Sequence, residues 1–309
     1  MSAPNPRVSI IIPLKSGREI RYPMQPGPGQ ELLIVVGSNV SYQRNQGAQQ
    51  ARGEVLYFLD DDCQIDAKNL ELALRLMDEG EWAAVGGPSL THPQASYWEH
   101  FFGRILSLRL ATLVTQPRNW PVGPPREVHG AELITCNLLV RRHWFEKAGG
   151  FHLELHPSED VEFVQRLRQL GGRLYYHPQL AVWRHRRSRL DQFLWQYFRY
   201  GVARGSLVWR TSLKPQGIYL LPLLLLLMLG MKWDWLLFLY CLLCVAAGAQ
   251  LAWRFRAPVQ GLMTAPVMLL LHLTYGVGVA AGLLAQPLGL RWSGPPQIDC
   301  IHQQLGDPA

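Results

Sequence analysis

Short hydrophobic runs separated by amphipathic stretches dominate the chain up to about residue 210. Runs rich in Val, Ile and Leu predict strands, and apolar residues at steps of three or four predict helices. The predicted strands cover residues 8–13, 31–36, 54–59, 83–87, 133–140, 173–176 and 180–183, and the main predicted helices cover 43–52, 67–79, 159–170 and 189–210. Strands that alternate with helices favour an α/β fold with a mainly parallel sheet.

The rest of the chain is almost free of charged residues and strongly apolar. Three segments, 216–231, 235–253 and 262–287, are candidates for transmembrane helices. The second and third reach the ~20 apolar residues that a spanning helix needs. The first is short, and could either span with help from its flanks or form a re-entrant hairpin with the second. The pattern predicts a domain of residues 1–210 and a membrane domain of residues 211–309.

Two further segments, 96–115 and 189–210, are amphipathic and rich in aromatic residues and Arg. This composition is typical of helices at a membrane interface, although a plain core helix explains 96–115 equally well. Positive charge lies on alternating sides of the apolar segments. We therefore expect a multi-pass protein of the inner (plasma) membrane. The charge distribution predicts a cytoplasmic N-terminal domain and a C-terminal tail on the opposite side.

Composition narrows the class of protein further. Of 309 residues, 48% are hydrophobic and 17% are charged, and the formal net charge is +7. The cations gather before the membrane segments, as in Arg184, Arg186, Arg187 and Arg189, where anionic lipid headgroups suit them better than nucleic acid. The same cluster could hold a diphosphate. The five cysteines do not form a disulfide framework.

Three consecutive aspartates, Asp60, Asp61 and Asp62, follow the apolar strand 54–59. Adjacent like charges repel unless a cation neutralises them, and a hard divalent ion prefers carboxylate oxygens. A strand of an α/β sheet delivers its C-terminal residues to the ligand crevice. The pattern predicts a site for a metal ion and a diphosphate. A solvated turn is the alternative, since Asp is common in turns.

Other motifs follow the aspartates in a fixed order. They are Gly149-Gly150-Phe151, then Ser158-Glu159-Asp160, then Gln196-Tyr197-Phe198-Arg199-Tyr200. Together with the aspartates they resemble the family 2 glycosyltransferases of the GT-A fold, a Rossmann-like nucleotide-sugar-binding domain. The resemblance covers about residues 7–205. It implies inverting transfer of a sugar from a nucleoside-diphosphate sugar, with a divalent cation, Mn²⁺ or Mg²⁺, as cofactor.

The resemblance also implies roles for single residues. Asp60 and Asp62 match the motif that binds the metal and the nucleotide, and Asp61 could replace either of them. His185 stands where some GT-A enzymes carry a third metal ligand. Asp160 matches the catalytic base, which takes the proton of the acceptor hydroxyl, and Glu159 would orient the acceptor or Asp160. An ordinary helix start with acidic residues is the alternative for this pair.

Gln196, Arg199 and Tyr200 match a Gln-x-x-Arg-Trp motif of the membrane-bound members, with Tyr200 in place of Trp. They are candidates for contact with the acceptor or the diphosphate. Arg199 could clamp a phosphate, because a guanidinium offers a fixed fork of donors. A basic residue that faces lipid headgroups is the alternative.

Four residues are candidates for donor binding in addition to the aspartates: Pro13, Lys15, Asn39 and Arg44. Family members usually carry an acidic residue after the second strand, where it contacts the nucleobase. Here Gly37-Ser38-Asn39 occupies that place, so Ser38 or Asn39 would meet the base. The nucleotide is therefore not fixed as UDP.

These observations predict a metal-dependent, membrane-anchored glycosyltransferase of cell-envelope polysaccharide synthesis. Its acceptor would be a lipid-linked or other glycan at the cytoplasmic membrane face. Two alternatives remain, a catalytically degenerate scaffold that keeps the fold, and a transport subunit in which Gly278 and Gly282 form a small-residue helix contact. The apolar segments carry little charge beyond His272, which disfavours a path for a polar transport substrate.

Overall fold

The computed structural model describes residues 5–210, 217–285 and 298–305. The strands are β1 (Val8–Lys15), β2 (Gln30–Gly37), β3 (Val55–Leu59), β4 (Cys63–Ile65), β5 (Trp82–Gly86), β6 (Ser89–Thr91), β7 (Arg126–Val128), β8 (Asn137–Arg141), β9 (Arg173–Tyr176), β10 (Val182–Arg184) and β11 (Ile298–Leu305). The helices are α1 (Val40–Gln50), α2 (Ala67–Glu79), α3 (Tyr97–Leu106), α4 (Arg109–Thr112), α5 (Arg142–Ala148), α6 (Glu159–Gln169), α7 (Leu190–Arg210), α8 (Leu221–Gly230), α9 (Asp234–Phe255) and α10 (Pro258–Ala285). Short 3₁₀ segments cover Leu113–Arg118 and Gly217–Leu220.

A mixed sheet in the order β11-β2-β1-β3-β8-β5-β9-β7 forms the centre of the N-terminal part. β1 pairs in parallel with β2 and β3, and β5 pairs in parallel with β9. β8 runs antiparallel to both β3 and β5, and the outer strands β7 and β11 are antiparallel to their neighbours. The predicted α/β fold is confirmed, but the prediction of a mainly parallel sheet is wrong. The periodicity of a strand does not encode its direction, which depends on its partners in the sheet.

Both faces of β3 are buried, which explains why its sequence is continuously apolar. Phe58 packs in the cluster that contains Phe151 and Phe163. Tyr57 points to the opposite face and packs in the cluster with Leu70 and Met77 of α2. Each fully buried side chain of this size contributes about 1.5–3 kcal/mol. The aspartates therefore follow a strand that is fixed from both sides.

A second, three-stranded sheet, β4-β10-β6, lies directly after the aspartates. β10 pairs antiparallel with β4, which places Arg184 opposite Cys63, and parallel with β6. The sequence did not predict β4 or β6. Strands of three residues are too short to show an alternating pattern.

The chain forms two compact units. The sheet unit comprises the described residues up to His92, then Pro117–His185 and β11, and the helical unit comprises Pro93–Gln116 and the described residues from Arg186 to Ala285. This division differs from the predicted boundary at residue 210, because α3, α4 and α7 belong to the helical unit. Where one amphipathic helix over 96–115 was predicted, the structure has α3, α4 and part of a 3₁₀ segment.

The C-terminal strand β11 belongs to the sheet unit, because its backbone pairs with β2 from Gly37 to Glu31. Ile301 packs against the hydrophobic core of that unit. The tail was expected on the opposite side of the membrane from the N-terminal domain, and that prediction is wrong. A strand that forms a hydrogen-bonded ladder with β2 shares the compartment of β2.

Two described helices, α9 and α10, are long and apolar enough to cross a membrane, judged by length and composition alone. They correspond to the predicted segments 235–253 and 262–287, of which residues 286 and 287 lie outside the described residues. The predicted segment 216–231 begins outside them too, at Gln216, and otherwise contains a 3₁₀ segment and α8. The 10 residues of α8 rise about 15 Å, against a hydrocarbon core of about 30 Å. α8 is therefore too short to span a bilayer as a helix.

Glycines bring α7 and α10 into backbone contact. A Cβ atom added at Gly201 or Gly205 of α7 would lie 2.3 or 2.2 Å from a backbone oxygen of α10. A Cβ atom at Gly278 or Gly282 of α10 would lie 2.3 or 2.0 Å from a backbone oxygen of α7. The predicted small-residue contact of Gly278 and Gly282 is present, and α7 supplies the matching pair. Helix backbones approach this closely only where no side chain intervenes.

Candidate functional site

The acidic turn between β3 and β4 is held by Arg184 at the end of β10. The Arg184 guanidinium donates to Asp60 Oδ2 at 3.2 Å and to Asp62 Oδ2 at 3.3 Å. The two carboxylates are 23% and 27% exposed, so both are reachable from solvent. The basic cluster that contains Arg184 was expected to face lipid headgroups or to hold a diphosphate, and for Arg184 the first of these two interpretations is wrong.

The neighbouring charges in this turn shift the pKa values of Arg184 and Asp61. Burial disfavours the charge of Arg184, but Asp62 and Asp60 contribute strongly enough to raise its pKa well above the ordinary value. Burial also raises the pKa of Asp61, and the charges of Asp62 and Asp60 raise it further. The surroundings of Asp61 therefore disfavour the negative charge of its carboxylate.

Arg44 of α1 links the acidic turn to the first turn of α6. Its Nη2 donates to Asp60 Oδ1 at 2.8 Å, and its Nη1 donates to Glu159 Oε1 at 3.0 Å. Only 3% of the Arg44 side chain is exposed, and its guanidinium lies 5.6 Å from the centre of the Phe151 ring. Burial opposes the charge of Arg44, but the carboxylates of Asp60, Glu159 and Asp160 outweigh it and raise its pKa. A buried cation with two carboxylate partners fixes the spacing between these elements.

The Gly-Gly-Phe motif positions the ring beside Arg44. α5 is followed directly by Gly149 and Gly150, whose φ angles of +76° and +72° are in the left-handed region that favours glycine. Asn45 of α1 donates to Phe151 O and accepts from Phe151 N, both at 2.8 Å. A Cβ atom at Gly150 would lie 2.7 Å from Asn45 Oδ1. The motif thus ties α1 to the segment that leads into α6.

Glu159 and Asp160 occupy the first turn of α6, where the helix dipole favours negative charge. Glu159 is buried and lies 3.2 Å from His156 Nδ1. Burial acts to raise the pKa of Glu159, but His156 and Arg44 outweigh it and lower the pKa to about 2. Asp160 is 15% exposed, and its Oδ2 accepts from Arg118 Nη1 at 3.4 Å. Of the two carboxylates, that of Asp160 is the more exposed to solvent.

His185 stands beside an aromatic stack. Its Nε2 lies 2.9 Å from the Tyr22 hydroxyl, and the His92 ring stacks on both Tyr22 and His185 at 4.9 and 5.0 Å between centres. The stack holds the loop after β1 near the acidic turn, where Arg21 N donates to Asp61 O at 3.0 Å. The described ranges contain no group of three His, Cys, Asp or Glu side chains that could hold a metal ion. The structure therefore does not gather His185 with Asp60 and Asp62 as a third ligand.

The predicted nucleotide-binding residues lie at the carboxyl ends of β1 and β2. Pro13 is buried within β1 opposite Val35, and Lys15 is exposed at the end of the same strand. Asn39 caps α1, because its Oδ1 accepts from the backbone N–H of Tyr42 at 3.0 Å. Its Nδ2 donates to Leu153 O at 3.2 Å. Both polar ends of the Asn39 amide are thus engaged with backbone.

Gln196, Arg199 and Tyr200 belong to the helical unit, on α7. Gln196 Nε2 donates to the Tyr200 hydroxyl at 2.8 Å, so this pair forms its own contact one helical turn apart. Arg199 is exposed. Two groups of predicted site residues therefore lie in different units. The sheet unit contains Asp60, Asp62, Arg44, Glu159 and Asp160. The helical unit contains Gln196, Arg199 and Tyr200.

The sequence also matches a known protein family over more than half of its length. The model of glycosyl transferase family group 2 matches residues 55–280, which include the acidic turn, α6 and the α7 motif. The chain belongs to this family. The resemblance predicted from the motifs is therefore confirmed, and with it the classification as a glycosyltransferase.

Two curated relatives match part of this glycosyltransferase. The succinoglycan biosynthesis protein ExoM of Rhizobium meliloti is 29% identical over 181 residues, which cover 55% of this chain and 53% of ExoM. The inactive polypeptide N-acetylgalactosaminyltransferase-like protein 5 of Mus musculus is 24% identical over 141 residues, 43% of this chain and 33% of that protein. The chain thus spans about half the length of the first and a third of the second.

A solved structure confirms the fold of this family member. The mannosyltransferase PcManGT from Pyrobaculum calidifontis, in complex with GDP-Man and Mn²⁺, superposes with a TM-score of 0.55 at 14% identity. The superposition covers 91% of this chain and 88% of PcManGT. The predicted GT-A fold is therefore confirmed.

Sequence reasoning missed Arg118 and misread Arg184. Arg118 lies in a 3₁₀ segment outside every motif, and 42 residues separate it from Asp160. The only general signal in the sequence was electrostatic: a group of buried carboxylates requires cations nearby. That rule does not say which of the many arginines supplies the charge.

Proposed function

We propose that the protein is an inverting glycosyltransferase that moves a sugar from a nucleoside-diphosphate sugar to a lipid-linked or other glycan acceptor. The observation that carries the proposal is the Arg44 bridge, with its bonds of 2.8 Å to Asp60 and 3.0 Å to Glu159. This bridge holds the acidic turn and the first turn of α6 in one buried cluster. The donor-binding aspartates and the candidate base thus act as parts of one site.

In the proposed reaction, the acceptor hydroxyl oxygen attacks the anomeric carbon of the donor sugar. The bond from that carbon to the diphosphate oxygen breaks, and the nucleoside diphosphate leaves with the electron pair. Asp160 takes the hydroxyl proton, because a partly exposed carboxylate can come within hydrogen-bond reach of the acceptor. Arg118 is a positioning residue, since it contacts Asp160 and is itself held by the carbonyl oxygen of Ala131 at 2.6 Å.

A divalent cation is part of the proposal. The carboxylates of Asp60 and Asp62 are the donors that a hard cation prefers, so the chemistry of this pair fits Mn²⁺ or Mg²⁺. When bound, the ion would offset negative charge on the leaving diphosphate. In this structure the same carboxylates accept from Arg184. Arg184 and a cation therefore compete for them.

We also propose that the protein acts at the cytoplasmic face of the plasma membrane, with α9 and α10 in the bilayer. Large apolar side chains on both helices face outward, among them Phe238, Leu243, Leu262 and Leu284, which are 55% to 83% exposed. An apolar surface of this kind is stable in lipid and costly in water. Trp233 precedes α9, and Trp235 and Trp253 lie within its first and last turns, as is typical of residues at the two membrane interfaces.

The proposed activity is tested with the full chain purified in detergent. A panel of nucleotide sugars is offered with Mn²⁺ and membrane lipid extract, and release of nucleoside diphosphate and transfer to lipid are both measured. We expect turnover of one donor and its loss in Asp160→Asn, with donor binding retained. If no donor is consumed, the degenerate scaffold becomes the better description.

A further inference from the structure

β11 closes the edge of the main sheet next to the carboxyl ends of β1 and β2. Besides its backbone ladder with β2, it contributes Gln303, whose Nε2 donates to Glu31 Oε1 at 2.5 Å. Glu31 is fully buried and also accepts from Ser9 and Arg52. A buried carboxylate that uses a side chain of β11 as a partner fixes that strand in one register.

This register places Asp299 at the end of the sheet where ligands bind. Ile298 pairs with Gly37, the last residue of β2. The hydroxyl of Ser16, just after β1, donates to Asp299 Oδ2. The backbone N–H of Ser16 in turn donates to Gly37 O at 3.3 Å. In open α/β sheets, ligands occupy the crevice at the carboxyl ends of the parallel strands, and a carboxylate there typically binds a ribose hydroxyl.

Asn39 was predicted to contact the nucleobase, but both polar atoms of its side chain bind backbone groups instead. Its amide oxygen caps α1 and its amide nitrogen binds Leu153 O. Asp299 is exposed at the same edge of the sheet. An ionised carboxylate has about four acceptor sites, so its bond with Ser16 leaves most of its capacity for a ligand.

We infer that Asp299 is a nucleoside-binding residue, which accepts hydrogen bonds from a ribose hydroxyl or a nucleobase N–H of the donor. The carboxylate that the chain lacks after β2 is thus supplied by the C-terminal strand, far away in the sequence. This inference rests on the proposed function, because it assigns a contact to the donor of that reaction.

The test measures binding to the full chain by isothermal titration calorimetry, with GDP, UDP, ADP and CDP as probes. Asp299→Asn keeps the size of the side chain and removes its charge. We expect the nucleotide that binds the wild-type protein best to bind this variant about tenfold or more weakly, as for the loss of a hydrogen bond to a charged group. Asp78→Asn, at an exposed aspartate near the end of α2, is the matched control and should bind as the wild type does.

Three results would overturn the inference. Unchanged affinity of Asp299→Asn would overturn it alone and leave the proposed function standing. An equal loss in Asp78→Asn would show that the effect is not specific to the site. If the wild-type protein binds none of the four nucleotides, the inference and the proposed function fail together. Should Asp299→Asn not fold, Asp299→Glu keeps the charge, displaces it by one methylene group and is judged by the same criterion.

Discussion

Arg118 Nη1 lies 3.4 Å from Asp160 Oδ2, and this ion pair joins a 3₁₀ segment to the first turn of α6. The Arg118 side chain is 9% exposed, and its Nε donates to Ala131 O at 2.6 Å. The position of the Arg118 guanidinium is therefore fixed by burial and by this hydrogen bond, independently of its contact with Asp160. A fixed cation beside the candidate base limits the orientations that its carboxylate can adopt.

Arg118→Gln should separate positioning from binding. This substitution keeps a hydrogen-bond donor and removes the charge, so Asp160 loses its fixed partner. We expect kcat for sugar transfer to fall about 10- to 100-fold, because small displacements of a catalytic group are costly. The donor Kd should change less than about twofold. Arg118→Lys, which keeps the charge, should restore part of the rate. A parallel loss of donor affinity would contradict the positioning role.

Arg184→Gln should strengthen metal binding. The guanidinium and a divalent cation compete for Asp60 and Asp62, and unit charges about 4 Å apart near a protein surface interact by several kcal/mol. Without donor present, the Mn²⁺ affinity of this variant should rise about tenfold or more, as measured by electron paramagnetic resonance of free Mn²⁺. Arg173→Gln is the control, since Arg173 pairs with the exposed Glu127. Equal Mn²⁺ affinities in all three proteins would rule out the competition.

Glu159→Gln should flatten the acid limb of the stability profile. The pKa of Glu159 is about 2 in the folded protein, below its ordinary value of 4.5. The ionised carboxylate of Glu159 therefore stabilises the fold at pH values above its ordinary pKa of 4.5. That contribution is lost as the pH falls toward 2. The thermal midpoint of the wild-type protein should fall more steeply between about pH 5 and pH 2 than that of the variant. Glu154→Gln, an exposed neighbour in sequence, should follow the wild type. Identical slopes for Glu159→Gln and wild type would contradict this account.

Gly205→Ala should loosen the contact of α7 with α10. The added Cβ would lie 2.2 Å from a backbone oxygen of α10, so the helices must separate. Overpacking of this kind costs about 1–3 kcal/mol. Gly230→Ala at the end of α8 is the control, because no atom lies within 4 Å of its added Cβ. Thermal unfolding followed by circular dichroism in detergent should show a lower midpoint for Gly205→Ala alone. Equal midpoints for the two variants would show that the contact tolerates a methyl group.

Local features of the sequence determined much of this protein. The helix over residues 67–79 and the strand over 173–176 were predicted at the bounds of α2 and β9. The aspartates were placed at the end of a buried strand, and the order of the motifs indicated the family. These predictions succeeded because hydrophobic periodicity, glycine conformation and motif order are properties of neighbouring residues.

Only the tertiary structure decided which charges meet and which strands are neighbours. Arg44 and Glu159 are 115 residues apart in the chain, and Arg184 and Asp62 are 122 apart. The antiparallel pairing of β8 with β3 and the pairing of β11 with β2 also join segments that are far apart in the sequence. The sequence supplies many arginines that satisfy the same electrostatic rule. The selection among them follows from strand direction and register, which are set by the packing of the whole sheet.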